Sequence, residues 1–199
     1  MGAYEYKHLQ RYLKSWSKEV VEEAKDNLRK AGKGGGDLEN SISAQVINEG
    51  DSYVVQFSMA NYGTFVDKGV SGVGGDIKTG EHAGMHSGVN KFVNYDGDSA
   101  ISPYRFGSGS GARGGMTKGI ARFIRKNTIN RDAKTGRFIP AKSMAIAIMK
   151  VLWIKGIKGV SFFQNSLMLG LSEFKLDAAP EIKEDIIETL VTFPNIERA

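Results

Sequence analysis

The run Ile42-Ser43-Ala44-Gln45-Val46-Ile47-Asn48-Glu49-Gly50-Asp51-Ser52-Tyr53-Val54-Val55-Gln56-Phe57-Ser58-Met59 alternates apolar and polar residues on both sides of a turn. Ile42, Ala44 and Val46 fall on one side of an extended chain, as do Tyr53, Val55, Phe57 and Met59. Asn48 to Ser52 between them is rich in turn formers. The pattern predicts a β-hairpin over 42–59 with one buried face. What flanks it is helical, so the expected fold class is α+β: a small antiparallel sheet packed by a long N-terminal helix and C-terminal helices, with a long Gly-rich insertion.

Upstream, Tyr6, Leu9, Leu13, Trp16, Val20, Ala24 and Leu28 recur at three- and four-residue steps, the stripe of an amphipathic helix whose other faces carry Lys, Glu and Arg. Arg29 and Lys30 suit the helix's negative end, and Gly32 can adopt the left-handed cap, so the helix should stop near Ala31. Gly34-Gly35-Gly36-Asp37 breaks the chain before Leu38-Glu39-Asn40-Ser41-Ile42. Downstream of the hairpin lies a compact aromatic segment, Tyr62-Gly63-Thr64-Phe65-Val66-Asp67-Lys68-Gly69.

From Gly69 to Gly119 the apolar pattern dissolves, and the stretch holds 14 of the chain's 25 glycines. So little burial predicts loop. A helix with opposed faces should follow, Met116, Ile120, Phe123 and Ile124 on one side and Lys118, Arg122, Arg125 and Lys126 on the other. The turn Arg131 to Arg137 leads through Phe138-Ile139-Pro140 to a mostly apolar helix over 141–155, expected inside the fold or at a subunit contact. After a second Gly break at 156–159, Ser161 is placed to cap a helix from Phe162 to about Phe174. Pro180 suits the first turn of a separate last helix, with a short strand at 190–193. The organisation expected is one domain, with 1–69 and 141–199 as the core and 70–140 as an insertion.

Of 199 residues, 41% are hydrophobic and 25% charged, ordinary values for a folded domain. The absence of cysteine excludes disulfides, thiolate chemistry and Cys-rich zinc sites, and suits a reducing cytoplasm. No apolar run approaches the roughly 18 residues of a membrane span, and the N-terminal residues do not have the layout of a signal peptide. Net charge is +5, unevenly spread: nine Lys or Arg against Asp132 alone over 113–142, but seven acids against three bases over 171–199. A basic middle and an acidic end suit contact with nucleic acid, or head-to-tail packing of identical subunits.

Catalytic constellations are sparse. His82 and His86 stand four apart, but Gly84 and Gly88 interleave, so a chance pair in a loop explains them better than a metal site. Asp96-Gly97-Asp98-Ser99 lacks the closing Glu of a calcium loop and reads as a turn. Gly107 to Gly115 has the composition of a phosphate loop without its Gly-Lys-Ser/Thr ending. No enzyme, metal or cofactor is expected.

Three separated blocks nonetheless resemble one family. Asp37-Leu38-Glu39-Asn40-Ser41-Ile42 resembles the Gly-x-Leu-x-x-Ser-Ile step of the small neck and tail-completion proteins of tailed phages. Tyr62 to Gly69 resembles their Tyr-Ala-x-Tyr-Val-Glu-x-Gly signature, with Asp67 in place of Glu. Val160-Ser161-Phe162-Phe163-Gln164-Asn165-Ser166-Leu167 resembles their Pro-Phe-Phe-x-x-Ala-Leu helix start, with Ser161 in place of Pro. Ser102-Pro103-Tyr104-Arg105-Phe106 and Arg131 to Ile139 resemble insertions of longer members. The resemblance implies a virion structural protein, assembled in the bacterial cytoplasm into a six- or twelvefold homo-oligomeric ring between portal and tail proteins. Tyr62, Phe65, Asp67, Phe162, Phe163, Glu184 and Asp185 are then candidates for subunit contacts. Arg122, Arg125, Lys126, Arg131, Lys134 and Arg137 are candidates for lining a lumen that passes genomic DNA, or for a neighbouring subunit. No membrane partner is implied. The alternative is a free nucleic-acid-binding protein using the basic 113–142 region.

Overall fold

The computed structural model describes residues 6–50, 52–107, 120–121, 124–125, 136 and 138–192. Helix α1 (Lys7–Lys30) follows the predicted stripe, burying Leu13, Trp16, Val20, Ala24 and Leu28. It ends as the sequence predicts: Gly32 sits at φ +68°, its N–H reaches Arg29 O, and the Lys33 N–H reaches Leu28 O. Those two bonds close a Schellman turn and satisfy carbonyls the last helical turn leaves open.

A short helix α2 (Asp37–Ser41) leads into β1 (Ser43–Asn48) and β2 (Tyr53–Ser58). The strands pair antiparallel in the register Ala44 opposite Phe57 and Val46 opposite Val55, the hairpin expected. The compact aromatic segment after the hairpin forms a helix, α3 (Gly63–Lys68). Beyond it come the short strands β3 (Val70–Ser71), β4 (Gly75–Ile77), β5 (Gly84–His86), β6 (Lys91–Val93) and β7 (Ser99–Ile101). Helix α4 (Ala141–Lys155) has the limits predicted; β8 (Gly156–Ile157) and α5 (Phe162–Thr192) complete the order. Helices with several small antiparallel sheets make the fold α+β.

The chain divides into two compact units: Met1–Asp67 with Val93–Ser99 and Val160–Ala199, and Lys68–Phe92 with Ala100–Gly159. Helix α4, expected with the core, therefore belongs to the second unit.

In the first unit α1 packs along α5 and against the hairpin. Its core joins Val21, Ala24 and Leu28 of α1 to Leu38, Ile42 and Phe162. Trp16 fixes the helix crossing, its Nε1–H donating to Gly170 O at 2.7 Å while its ring meets Phe174 and Phe57 edge-on. Gly170 is needed there, since a Cβ would stand 2.5 Å from Val20 Cγ2. Pro180 does not open a new helix but lies inside α5. Its missing N–H costs one helical bond, and tertiary anchorage on either side, Ala178 buried and Asp185 bonded to α1, holds the helix through it.

In place of the loop expected over 69–119, residues 70–101 form short paired strands, and 108–119 lie outside the described residues. β3 pairs with β8 and β4 with β5, all antiparallel. Backbone packs here directly on backbone: a Cβ on Gly72 would lie 2.2 Å from Ile154 O. Asn90 ties the junction, its Nδ2 donating to Val70 O at 3.0 Å and to Lys155 O at 2.9 Å. Glycine enrichment therefore reflects close approach as well as turns, which composition alone reads as loop. A smaller cluster joins Ala121 and Ile124 to Ala145 of α4, with Ile120, Ala141 and Met144 against it. Ile124 thus lies on the buried side and Arg125 on the exposed side, as the opposed-face pattern predicts.

Candidate functional site

The three blocks that carry the resemblance, distant in sequence, meet in the first unit. Leu38 and Ile42 of the first block and Phe162 of the third share its core. Ser41 Oγ accepts the Ala60 N–H at 2.9 Å and donates to Leu38 O, tying α2 to the exit of β2. Asp67 of the second block, 2% exposed, accepts the N–H of Phe163 at 2.8 Å and of Gln164 at 3.4 Å. It is thus the N-terminal cap of α5, supplied from across the chain. Around it Val160 N–H donates to Val66 O and Ser161 N–H to Asp67 O, locking α3 to the entry of α5.

Ser161, expected as the cap, does something else. It holds φ +50°, and its Oγ accepts the Val93 N–H at 2.9 Å. A residue in the left-handed region cannot present its side chain to the helix's first N–H groups as an extended N-cap residue does.

The subunit-contact candidates separate by burial. Asp67, Phe162 and Asp185 lie inside the chain, Phe162 at 0% exposure, so their side chains serve this fold rather than a surface. Phe163 is half-buried and meets Phe57 edge-on at 5.4 Å. Tyr62 and Phe65 are exposed, at the start of and within α3, and Glu184 is exposed on α5. Asp185, one residue on, accepts the N–H groups of His8 at 3.0 Å and Leu9 at 2.8 Å, capping α1 where Tyr6 offers no side-chain bond. Of the basic candidates, Arg125 is exposed; Arg122, Lys126, Arg131, Lys134 and Arg137 lie outside the described residues.

Two groupings escaped the sequence. Glu39 is buried and takes Arg29 through Nε at 2.8 Å and Nη2 at 2.6 Å, together with the Gly35 N–H. The Gly35 N–H, and then Arg29, hold its carboxyl below the ordinary glutamate range, while Glu39 raises Arg29. The three glycines before α2 hint at this, since only a tightly turned backbone brings Gly35 N–H onto the carboxylate. The second grouping is an acidic face on α1 and α5. Burial, and then Asp177, Glu19, Glu173 and Glu181, raise the Tyr12 phenol above its ordinary range.

The second unit exposes apolar side chains along α4. On α4, Ile146 (46%), Ile148 (37%) and Trp153 (40%) are exposed, and Trp153 stacks on Phe106. A groove of about 360 Å³ runs between the 79–82 turn and Ala147, Ile148, Val151 and Leu152 of α4. His86 Nε2 lies 2.9 Å from the carbonyl oxygen of His82, and His82 Nδ1 lies 3.4 Å from Lys155 Nζ, so the two rings engage different neighbours. Among the described residues there is no group of three His, Asp or Glu side chains able to hold a metal ion, and no helix long and apolar enough to cross a membrane. Comparison with protein-family models, curated proteins and solved structures gives no match.

Proposed function

We propose that this chain is a virion structural protein that assembles into a ring in the head–tail connector of a tailed bacteriophage. The observation that carries the reading is the bond from Phe163 N–H to the Asp67 carboxylate, spanning 96 residues. It joins two of the blocks that resemble the neck and tail-completion family, and the third packs on the same core through Leu38 and Ile42. Motif matches scattered by chance have no reason to converge on one cap and one core. In this reading the first unit is the scaffold shared with the family. The second unit presents the particle-specific surface, where the exposed apolar side chains of α4 suit a protein partner.

Electron microscopy of purified particles tests the proposal. The expected result is a ring of this chain at the portal vertex, in contact with portal and tail proteins. Absence from the particle, combined with tight, strongly salt-dependent DNA binding by the isolated monomer, overturns it in favour of a free nucleic-acid-binding protein.

A further inference from the structure

Helix α4 exposes Lys142, Ile146, Lys150 and Trp153 along one line, at steps of four, four and three residues. Residues so spaced share one helical face. A helix face with a half-exposed Ile between two lysines and a half-exposed Trp beyond them needs a partner that is apolar in places and negatively charged at the same pitch.

Helix α5 offers such a face. Leu169, Glu173, Asp177, Pro180 and Glu184 are all exposed and follow one another at four, four, three and four residues. The α4 lysines are eight residues apart, about 12 Å along the axis, and Asp177 and Glu184 are seven apart, about 10.5 Å. Laid antiparallel, Lys142 comes opposite Glu184, Ile146 opposite Pro180 and Lys150 opposite Asp177. Trp153 then lies toward the end that carries Leu169. Glu19 and Glu173 lie along the groove between α1 and α5 and extend the negative face toward that end.

We infer that the α4 stripe of one copy docks on the α5 stripe of a second copy, forming the head-to-tail contact that builds the assembly. The inference rests on the ring reading above and names its interface. The two patches differ, so the contact is heterologous; each copy keeps a free α4 face and a free α5 face until rotation closes a ring. A strand of nucleic acid would match the lysines but leave Ile146, between them, without an apolar counterpart.

Charge exchange tests this with the intact chain, by sedimentation velocity and native mass spectrometry, with circular dichroism to check folding. One variant carries Lys142→Glu and Lys150→Glu; the other carries Asp177→Lys and Glu184→Lys. Each alone should need about 100-fold or more higher concentration to assemble, because like charges then face each other. Mixed in equal amounts they should assemble again, every contact between the two unlike variants being complementary, and all four changes in one chain should also restore assembly. Ile146→Asp should abolish assembly and leave the folded signal intact.

Assembly of either double variant at the wild-type concentration overturns the inference, as does failure of the mixture when both variants are folded. A wild-type chain still monomeric at about 1 mM overturns it too, since that bounds the contact at a few kcal/mol. None of these outcomes removes a ring from the particle, so the ring reading stands or falls separately on microscopy.

Discussion

The carboxylate of Asp67 accepts the N–H of Phe163 at 2.8 Å and, with Gln164 N–H, closes the first turn of a 31-residue helix. Replacing Asp67 by Ala leaves the part-buried Phe163 N–H and the buried Gln164 N–H without this acceptor. The expected loss is about 1–3 kcal/mol, the range for a lost cap and an unsatisfied buried group. Asp67→Asn keeps one acceptor oxygen and should lose less. Urea unfolding of the three proteins measures both, and equal stability of Asp67→Ala and wild type would rule out the cap.

Asp185 plays the corresponding part for α1. Asp185→Ala should fray the first turn of that helix and cost about 1 kcal/mol. Amide hydrogen exchange should then rise at His8 and Leu9 while Val20 and Leu28 stay protected.

The Glu39–Arg29 pair predicts a pH dependence of definite sign. Glu39 is held below its ordinary range in the folded chain, first by Gly35 N–H and then by Arg29. Its stabilising contribution is therefore complete above the ordinary glutamate range and is lost as pH falls through the lowered folded value. Wild type should be more stable than Glu39→Gln at neutral pH, and the gap should close in acid. A gap that widens as pH falls would reverse the assignment.

Two glycines should respond unequally to the same change. Gly72→Ala drives a Cβ to 2.2 Å from Ile154 O, backbone against backbone, and should cost about 1–3 kcal/mol or more. Gly36 has open space around it and an extended φ of −121°, so Gly36→Ala meets no clash and should cost less, about 0.5–1 kcal/mol for the poorer N-cap of α2. Thermal unfolding of the two variants makes the comparison.

How legible the fold was in the sequence depended on whether the cause was local. The stripe from Leu9 to Leu28, the Gly32 cap, the 42–59 hairpin and the limits of α4 follow from spacing within one element. The Asp67 and Asp185 caps do not, since each donor and acceptor stand far apart along the chain and neither end carries a mark of the other. Ser161 shows the converse: a residue of the right type at the right place, drawn off by Val93 N–H into a conformation unsuited to capping. Strands of two or three residues, such as β3 and β8, leave no alternation to read; their order comes from glycines that allow contact between backbones. Exposure is likewise invisible to composition, which left the apolar α4 either inside the fold or at a subunit contact and did not separate Glu184 from Asp185.

The close packing of α1 against α5 also sets a timetable. Trp16 finds its acceptor at Gly170, 154 residues later, and the N–H of Leu9 waits for Asp185, 176 residues later. A chain emerging from the ribosome thus exposes the apolar stripe of α1 through synthesis of the whole second unit before its helical cover exists. Contacts so distant in order are slow to form and leave sticky surface uncovered meanwhile. The second unit, whose contacts begin and end between residues 68 and 159, is free to fold first, and the scaffold closes only when the last helix arrives.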